Sequence, residues 1–427
     1  MKKSCLVGVL AIAVILLSSI GPMAAPVTIE VWHKWNPGEP VGEWLTKATA
    51  AFEKANPDIK VNLLGQGRQL INKVRPRFIE GNPPDIIETY FPNVYKLYKE
   101  GLLAELDGYM NTRAEGKIVA KWKDTFIPQV YTGQMIGGKM YMVPIFYDTS
   151  SFFYNVSIFK KYKINVPKTW NDFLKACETL KKNGVEPIAV DGGNSAYNGW
   201  WFVQTSTRLL GADYVRDTAL NKPGTSWTNP GYLDAAKKVQ YVAQNYFMKG
   251  FQGSAFPAAQ IDWATSKTAM MFNASWLPNE MRNTLPADYQ MGEFLFPQIP
   301  GGKGDQTVVE LWSNGYAIPK DAKHKDEAAQ YLKFITSREM AADMLKHTDV
   351  LSSIKGTPVP VRLKDVPRLI ANAKSTTDLR SGITTMAPEW EIQVFQPLND
   401  KLLFGTITPE EFIEKLDAAH KRFYEKK

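Results

Sequence analysis

An α/β fold built as more than one lobe is what this sequence predicts, and three observations carry the prediction. Short runs with the two-residue alternation of strands are interleaved with stretches of helical periodicity. The helical stretches are long enough to act as crossovers, which makes the sheets mostly parallel with helices on both faces. The 427 residues, at about 150 per domain, give two or three lobes. Their 44% hydrophobic and 22% charged content suits a globular chain with a sizeable core.

The elements follow in chain order. Lys2 and Lys3, an uncharged apolar run from Leu6 to Ile20 and small residues at Met23-Ala24-Ala25-Pro26 read as a secretory signal over residues 1–25. The run is shorter than the about 20 apolar residues of a spanning helix, and nothing later is long and uncharged enough to span. Cys5 precedes the run, so it is not the lipidated first residue of a mature chain, and a periplasmic protein is expected. Val27 to Trp32 alternates as a strand, and Val41 to Ala55 has helical spacing until Asn56-Pro57 stops it. Ile59 to Leu64 is a second strand. Gln69 to Glu80 is a helix that Pro76 kinks or starts, and Asp85 to Tyr90 is a third strand after the turn at Gly81-Asn82-Pro83-Pro84. An extended stretch runs from Tyr141 through Asn155, and a helix-rich α/β region occupies Ser157 to Pro300. Gly301 to Asp305 reads as a flexible loop. Strand pattern returns at Thr307 to Trp312 and Gly315 to Ile318, and helices dominate from Lys325 onward.

Composition and motifs exclude several function classes. The formal charge of +8 is scattered among acids, with no stripe of bases interleaved with aromatics, so nucleic acid is not an expected partner. Cys177 alone survives signal removal, which rules out an internal disulfide or thiolate cluster, and its helical context makes it a core residue. His33, His324, His347 and His420 are too few and scattered for a metal site, and the last three lie in charged helical stretches expected to be solvated. No G-x-S-x-G, G-x-x-x-x-G-K, H-E-x-x-H or strand-linked G-x-G-x-x-G occurs, so neither catalytic residue, cofactor nor metal is expected.

What stands out is 12 Trp, 18 Tyr and 21 Phe, several of them in polar, Gly-rich stretches such as Trp32-His33-Lys34-Trp35-Asn36-Pro37-Gly38-Glu39 and Asn198-Gly199-Trp200-Trp201. Rings outside apolar periodic runs are expected to face a ligand. A flat aromatic face covers the C–H side of a sugar ring, and neighbouring Asp, Glu, Asn or His groups pair with its hydroxyls.

Five segments carry a family resemblance. Gly81-Asn82-Pro83-Pro84-Asp85-Ile86-Ile87 resembles the G-x-x-P-D-[VI] segment of family 1 extracellular solute-binding proteins, the sugar receptors of ATP-driven importers. Val143-Pro144 followed by Phe153-Tyr154-Asn155, and Pro167-Lys168-Thr169-Trp170-Asn171-Asp172-Phe173, are similar to their V-P-x8-Y-Y-N and P-x-T-W-x-[ED]-F elements. Lys267-Thr268-Ala269-Met270-Met271 with Ser275-Trp276, and Asn314 through Lys320, resemble the family's K-x-A-M-x5-W and G-x-x-I-P-K stretches. Five such elements occur in register, and the likeness runs from residue 27 to the end.

The resemblance implies a two-lobed clamp of the type II periplasmic-binding-protein kind, with an N-terminal lobe of residues 26–150 plus 311–352 and a C-terminal lobe of 151–310 plus 353–427. It implies a monomer that closes on a carbohydrate and then engages membrane permease subunits of an ABC importer. Candidate ligand contacts come from loops at the carboxyl ends of strands: His33, Lys34, Trp35 and Glu39 after the first strand, Tyr90 after the third, and Tyr147 and Asp148 before the first crossing. Trp35 and Trp276 are expected to stack on sugar rings, with Trp200, Trp201 and Trp312 as further platforms. Glu39, Asp148 and Asn314 would bond hydroxyls. Asp85 is expected to fix a turn and Trp170 to pack at a helix start. The ligand stays open between a monosaccharide, a short oligosaccharide and an amino-sugar. Two rival classes are a carbohydrate-active enzyme and a receptor for a polyol or a phosphate ester such as glycerol phosphate, for which Arg68 is the one cleft-side Arg.

Overall fold

The computed structural model describes residues 25–116 and 119–426; the expected signal segment therefore lies outside the described residues, apart from Ala25. Twelve strands are found among the described residues: β1 Val27–His33, β2 Ile59–Gly65, β3 Ile86–Tyr90, β4 Val143–Asp148, β5 Ser150–Asn155, β6 Glu186–Ala189, β7 Thr268–Ala274, β8 Met291–Phe294, β9 Val309–Glu310, β10 Trp312–Ala317, β11 Leu351–Ser352 and β12 Thr376–Thr377. They form a six-stranded sheet in the order β11-β4-β10-β3-β1-β2, a four-stranded sheet in the order β6-β7-β5-β8, and the short pair β12-β9. Each larger sheet anchors one lobe. The chain passes from the first sheet to the second through Thr149, returns between β9 and β10 at Leu311, and leaves the first sheet after β11.

Both sheets are mixed, which corrects the expectation that they are mostly parallel. In the first, β1 pairs parallel with β2 and β3, as helix-linked strands must. β10 runs antiparallel to β3 and β4, and β11 runs antiparallel to β4. In the second, β5 is antiparallel to both β7 and β8, and only β6 pairs parallel with β7. The cause is the crossings: a strand arriving from the other lobe owes its direction to the hinge rather than to a helix returning over its own sheet.

The local signals worked where they were strongest. The helix Pro40–Ala55 starts with Pro in its first turn. The helix Trp170–Lys182 is held by a capping box between Thr169 and Asp172, and Trp170 packs at its start, 5% exposed. Pro76 lies inside the helix Leu70–Ile79, one turn from its end. Cys177 is buried in the core of the second lobe. Asp85 fixes its turn by accepting hydrogen bonds from the backbone of Glu30 and of His324, both at 2.9 Å.

Three local expectations fail. The Gly301–Asp305 stretch is tied down: Lys303 and Gly304 donate backbone bonds to Leu209 and Arg208 at the end of the helix Ser195–Leu210. A Cβ on Gly304 would lie 2.0 Å from the Thr207 carbonyl, so the glycine serves close approach. His420 is buried rather than solvated, set between Trp227, Trp390 and Tyr424, and burial pushes its imidazole down to about 4. Asn198-Gly199-Trp200-Trp201 is not an exposed stretch but the middle of the helix Ser195–Leu210, buried from Asn198 to Arg208. Part of its polar surface has internal partners: the Asn198 amide donates to Gly192 and to Asp400, both at 2.8 Å, and the Thr205 hydroxyl donates to the Trp201 carbonyl at 2.7 Å.

Candidate functional site

A cleft lies between the lobes and is built mainly on the central strands of the first sheet. Register sets Asn314 of β10 beside Tyr90 of β3 on one side and Phe146 of β4 on the other. Trp312 stands opposite Asp148. The second lobe contributes Trp276, just past β7, and Tyr197, in the first turn of the helix that Asn194 caps. These side chains, with Lys34, Trp35, Arg68, Glu88, Glu280 and Leu379, wall a cavity of 310 Å³. A second chamber of 520 Å³ shares Trp35, Arg68, Phe146, Asp148, Trp276 and Glu280 with it and includes Glu39.

The turn after β1 is fixed by its own side chains. His33 accepts the Trp35 backbone N–H at its Nδ1, 3.3 Å away, and so folds the loop back toward the sheet. Glu39 receives Asn36 through backbone and amide and pairs with Arg68 at 3.0 Å, and Arg68 also donates to the Lys34 carbonyl at 2.8 Å. Gly42 is needed because a Cβ there would come within 2.8 Å of the Trp35 Cβ. Trp35 in turn donates its indole N–H to Glu88 at 2.7 Å.

A buried polar relay crosses the base of the cleft. The Ser275 hydroxyl donates to Asp148 at 2.9 Å, the Asn314 amide donates to the other Asp148 oxygen at 2.7 Å, and the Lys34 ammonium donates to the Asn314 carbonyl oxygen. The relay joins the second lobe to the loop after β1 through the strand ends at the hinge. Burial raises Glu88 to about 7 and Asp148 to about 6, although Lys34 opposes both shifts. Burial likewise lowers Lys34, against the attraction of Glu88 and Asp148.

One stability prediction follows from Glu88, which is 0% exposed. Its raised pKa means that the carboxyl contributes most below about 4.5 and that this contribution is lost as pH rises toward about 7. Glu88→Gln removes that loss, because Gln imitates the protonated acid. The stability of the variant relative to wild type is expected to rise by about 2 kcal/mol between pH 5 and pH 8. Urea midpoints at the two pH values check it, and a difference that does not change with pH would refute it.

The structure brings Lys34, Trp35, Tyr90, Asp148, Trp276, Trp312 and Asn314 to the inner cavity, and Glu39 to the outer chamber. It does not bring the other four expected residues there. His33 supports the turn with its ring against Gly65. Tyr147 points away from the cleft into the core beside Leu351, as strand alternation requires once Phe146 and Asp148 face it. Trp201 is wedged among Phe152, Phe247 and Phe296. Trp200 forms a second layer behind the wall: it stacks on Tyr197 at 5.4 Å and donates to buried Glu310 at 2.9 Å. Trp35 carries the Lys34 ammonium 5.0 Å and the Arg68 guanidinium 5.2 Å from its ring, so cations already engage its π-system.

Glu88, Phe146, Tyr197, Glu280 and Leu379 were missed by sequence reasoning. Only Glu88 had a signal: a carboxylate inside the apolar strand Ile86-Ile87-Glu88 needs a buried partner. Phe146 joins the site through the pairing of β4 with β10, and Tyr197, Glu280 and Leu379 become neighbours only through the lobe–lobe arrangement.

Two mixed α/β lobes joined by crossing strands around an aromatic, hydrogen-bonding cleft define a ligand-binding clamp. This chain belongs to the bacterial extracellular solute-binding protein family, whose model matches residues 36–342. It is 26% identical over 378 residues to the multiple sugar-binding protein of Streptococcus mutans, covering 84% of this chain and 83% of the relative. It is 23% identical over 330 residues to the melibiose/raffinose/stachyose-binding protein of Bacillus subtilis, covering 72% and 70%. Among solved structures, a chitin oligosaccharide binding protein superposes with a TM-score of 0.77 at 24% identity, covering 93% of this chain and 98% of the other. Among the described residues, no helix is long and apolar enough to cross a membrane, and no group of three or more His, Cys, Asp or Glu side chains is placed to hold a metal ion.

Proposed function

We propose that this chain is an extracytoplasmic receptor that captures a sugar between its lobes and hands it to the permease of an ABC importer. The observation that carries the reading is the make-up of the cleft wall: aromatic faces from both lobes, Trp276 and Tyr197 against Tyr90 and Phe146, surround buried hydroxyl partners at Asp148 and Asn314. Sugars present this combination of an apolar ring face and a polar rim. Lys34 and Arg68 are both already paired, and Glu39, Glu88, Asp148 and Glu280 outnumber them, which disfavours a phosphate ester. The sugar-binding relatives point the same way.

Trp276 is the main stacking platform in this reading, with Trp312 edge-on to it at 5.7 Å. Tyr90, Asp148 and Asn314 meet hydroxyls, and Lys34 orients Asn314. Lobe boundaries near 150, 310 and 352 let the crossings act as hinges. Ligand contacts made by both lobes exist only in the closed state, so binding shifts the population toward it, and that state presents the permease-docking surface.

Differential scanning fluorimetry of the mature protein against monosaccharides, oligosaccharides, amino-sugars, polyols and glycerol phosphate tests this. One saccharide class at 100-fold over its Kd is expected to stabilise the native state by about 2.7 kcal/mol and to raise Tm by several degrees without product formation. A shift with glycerol phosphate or a polyol alone refutes the sugar reading, and turnover of the saccharide refutes the receptor reading.

A further inference from the structure

Phe256 is 51% exposed, yet it is not a stray surface ring: it lines the outer chamber of the cleft. Glu39 and Asn36 of the first lobe line the same chamber, as do Asn279, Arg282 and Asn283 of the second. Two of these lining residues also bridge to the first lobe, where Arg282 reaches Asp349 at 3.5 Å and Asn279 accepts the Asp349 backbone N–H at 3.2 Å. The chamber shares Trp35 and Trp276 with the inner cavity, so the two spaces adjoin. Ligand sites commonly run from about 300 to 1,000 Å³. The inner cavity, at 310 Å³, sits at the bottom of that range, and the outer chamber adds the larger space of 520 Å³.

We propose that the outer chamber is a second saccharide subsite, that Phe256 is its stacking platform, and that the receptor therefore selects oligosaccharides of at least two units over monosaccharides. The inference rests on the sugar-receptor reading and goes beyond it in naming ligand length and the residue that sets it. The inner unit lies on Trp276. The glycosidic bond passes between Trp35 and Trp276, where the two chambers meet. The next ring lays its C–H face on Phe256 and turns its hydroxyls to Glu39 and Asn283. An apolar ring left half in water in the empty protein gains most when a sugar face covers it, and at the rim it selects for length without contributing to the inner site.

Isothermal titration calorimetry with glucose, maltose, maltotriose, cellobiose, cellotriose, N-acetylglucosamine, diacetylchitobiose and raffinose tests this on wild type and Phe256→Ala. Within the series that binds, the longer members are expected to bind at least about tenfold tighter than the monosaccharide. Phe256→Ala is expected to weaken the longer members by about 3- to 10-fold, with the shortest binding member unchanged and Phe256→Tyr restoring the difference. Equal loss at every length, no loss at any length, or a monosaccharide bound as tightly as its trisaccharide would overturn the subsite while leaving the sugar receptor standing. Binding of no saccharide at all would overturn both.

Discussion

Trp276→Ala is expected to weaken saccharide binding by about 100-fold, close to 3 kcal/mol, the scale at which a central aromatic anchor is lost from a binding site. The indole lines the cleft with no cation over its π-face among the described residues, unlike Trp35 and Phe146, which carry the Lys34 ammonium. Tyr197 backs it at 6.3 Å in near-parallel orientation, Trp200 lies 5.9 Å away and Trp312 meets it edge-on, so the platform is rigid before ligand arrives. Rigidity matters because a pre-ordered ring loses little entropy on binding. Trp35 differs: its N–H is committed to Glu88 and its ring to Lys34 and Arg68. Trp35→Ala should therefore lower Tm more than its loss of sugar contact alone would imply. Trp276→Phe keeps a flat face and is expected to recover part of the affinity, which separates stacking from a general loosening of the wall. Calorimetric titration of the folded variants is the measurement, and unchanged affinity in Trp276→Ala would remove Trp276 from the site.

How much of this was readable in the sequence depends on where each interaction is stored. The strands β1 to β3 and their helices were legible because alternation, Asn56-Pro57 and the Gly81-to-Pro84 turn are local signals. Strand direction in β10 was not, because it is set by the crossing that returns the chain from the other lobe, and β11 follows from β10 through intervening helices. Asp148 and Asn314 could be named as polar residues at strand ends, whereas their bond to each other spans 166 positions and is a product of topology. Trp200 and Trp201 misled for a physical reason. Asn198 and Gly199 beside them look like loop chemistry, but the helix cap at Asn194 and the partners Gly192 and Asp400 make a polar stretch buriable. Phe256, in Ser254-Ala255-Phe256-Pro257, carried no periodicity at all, and only the shape of the chamber gives it a role.

Glu391→Ala is expected to cost about 3–5 kcal/mol of stability, because it strands the buried Arg380 guanidinium. The two side chains are 7% and 3% exposed and pair through the Arg380 Nε. Arg380 also reaches the Ala196 carbonyl at 3.3 Å and lies 5.7 Å over the Trp200 ring. The pair sits in an unusual stretch of backbone: Arg380 and Ser381 have φ of 48° and 56°, a left-handed conformation that disfavours residues other than glycine. Ser381 is held by Thr207 at 2.7 Å, and Asp378 by Thr385, so the segment stays in place because its side chains are anchored. Leu379 of the same segment lines the inner cavity. Loss of the anchor should therefore weaken the cleft wall as well as the lobe, giving a lower denaturant midpoint and a higher Kd together. A double change, Arg380→Met with Glu391→Leu, removes both charges and is expected to recover much of the stability, since neither ion is then left unpaired. It is not expected to recover the affinity, because the left-handed segment no longer has the guanidinium bonds that hold Leu379 against the cleft. Denaturation midpoints and sugar titrations on the single and double variants separate the two effects. A single variant within 1 kcal/mol of wild type, by the ~1 kcal/mol scale of an ordinary substitution, would show that the pair does not hold this wall.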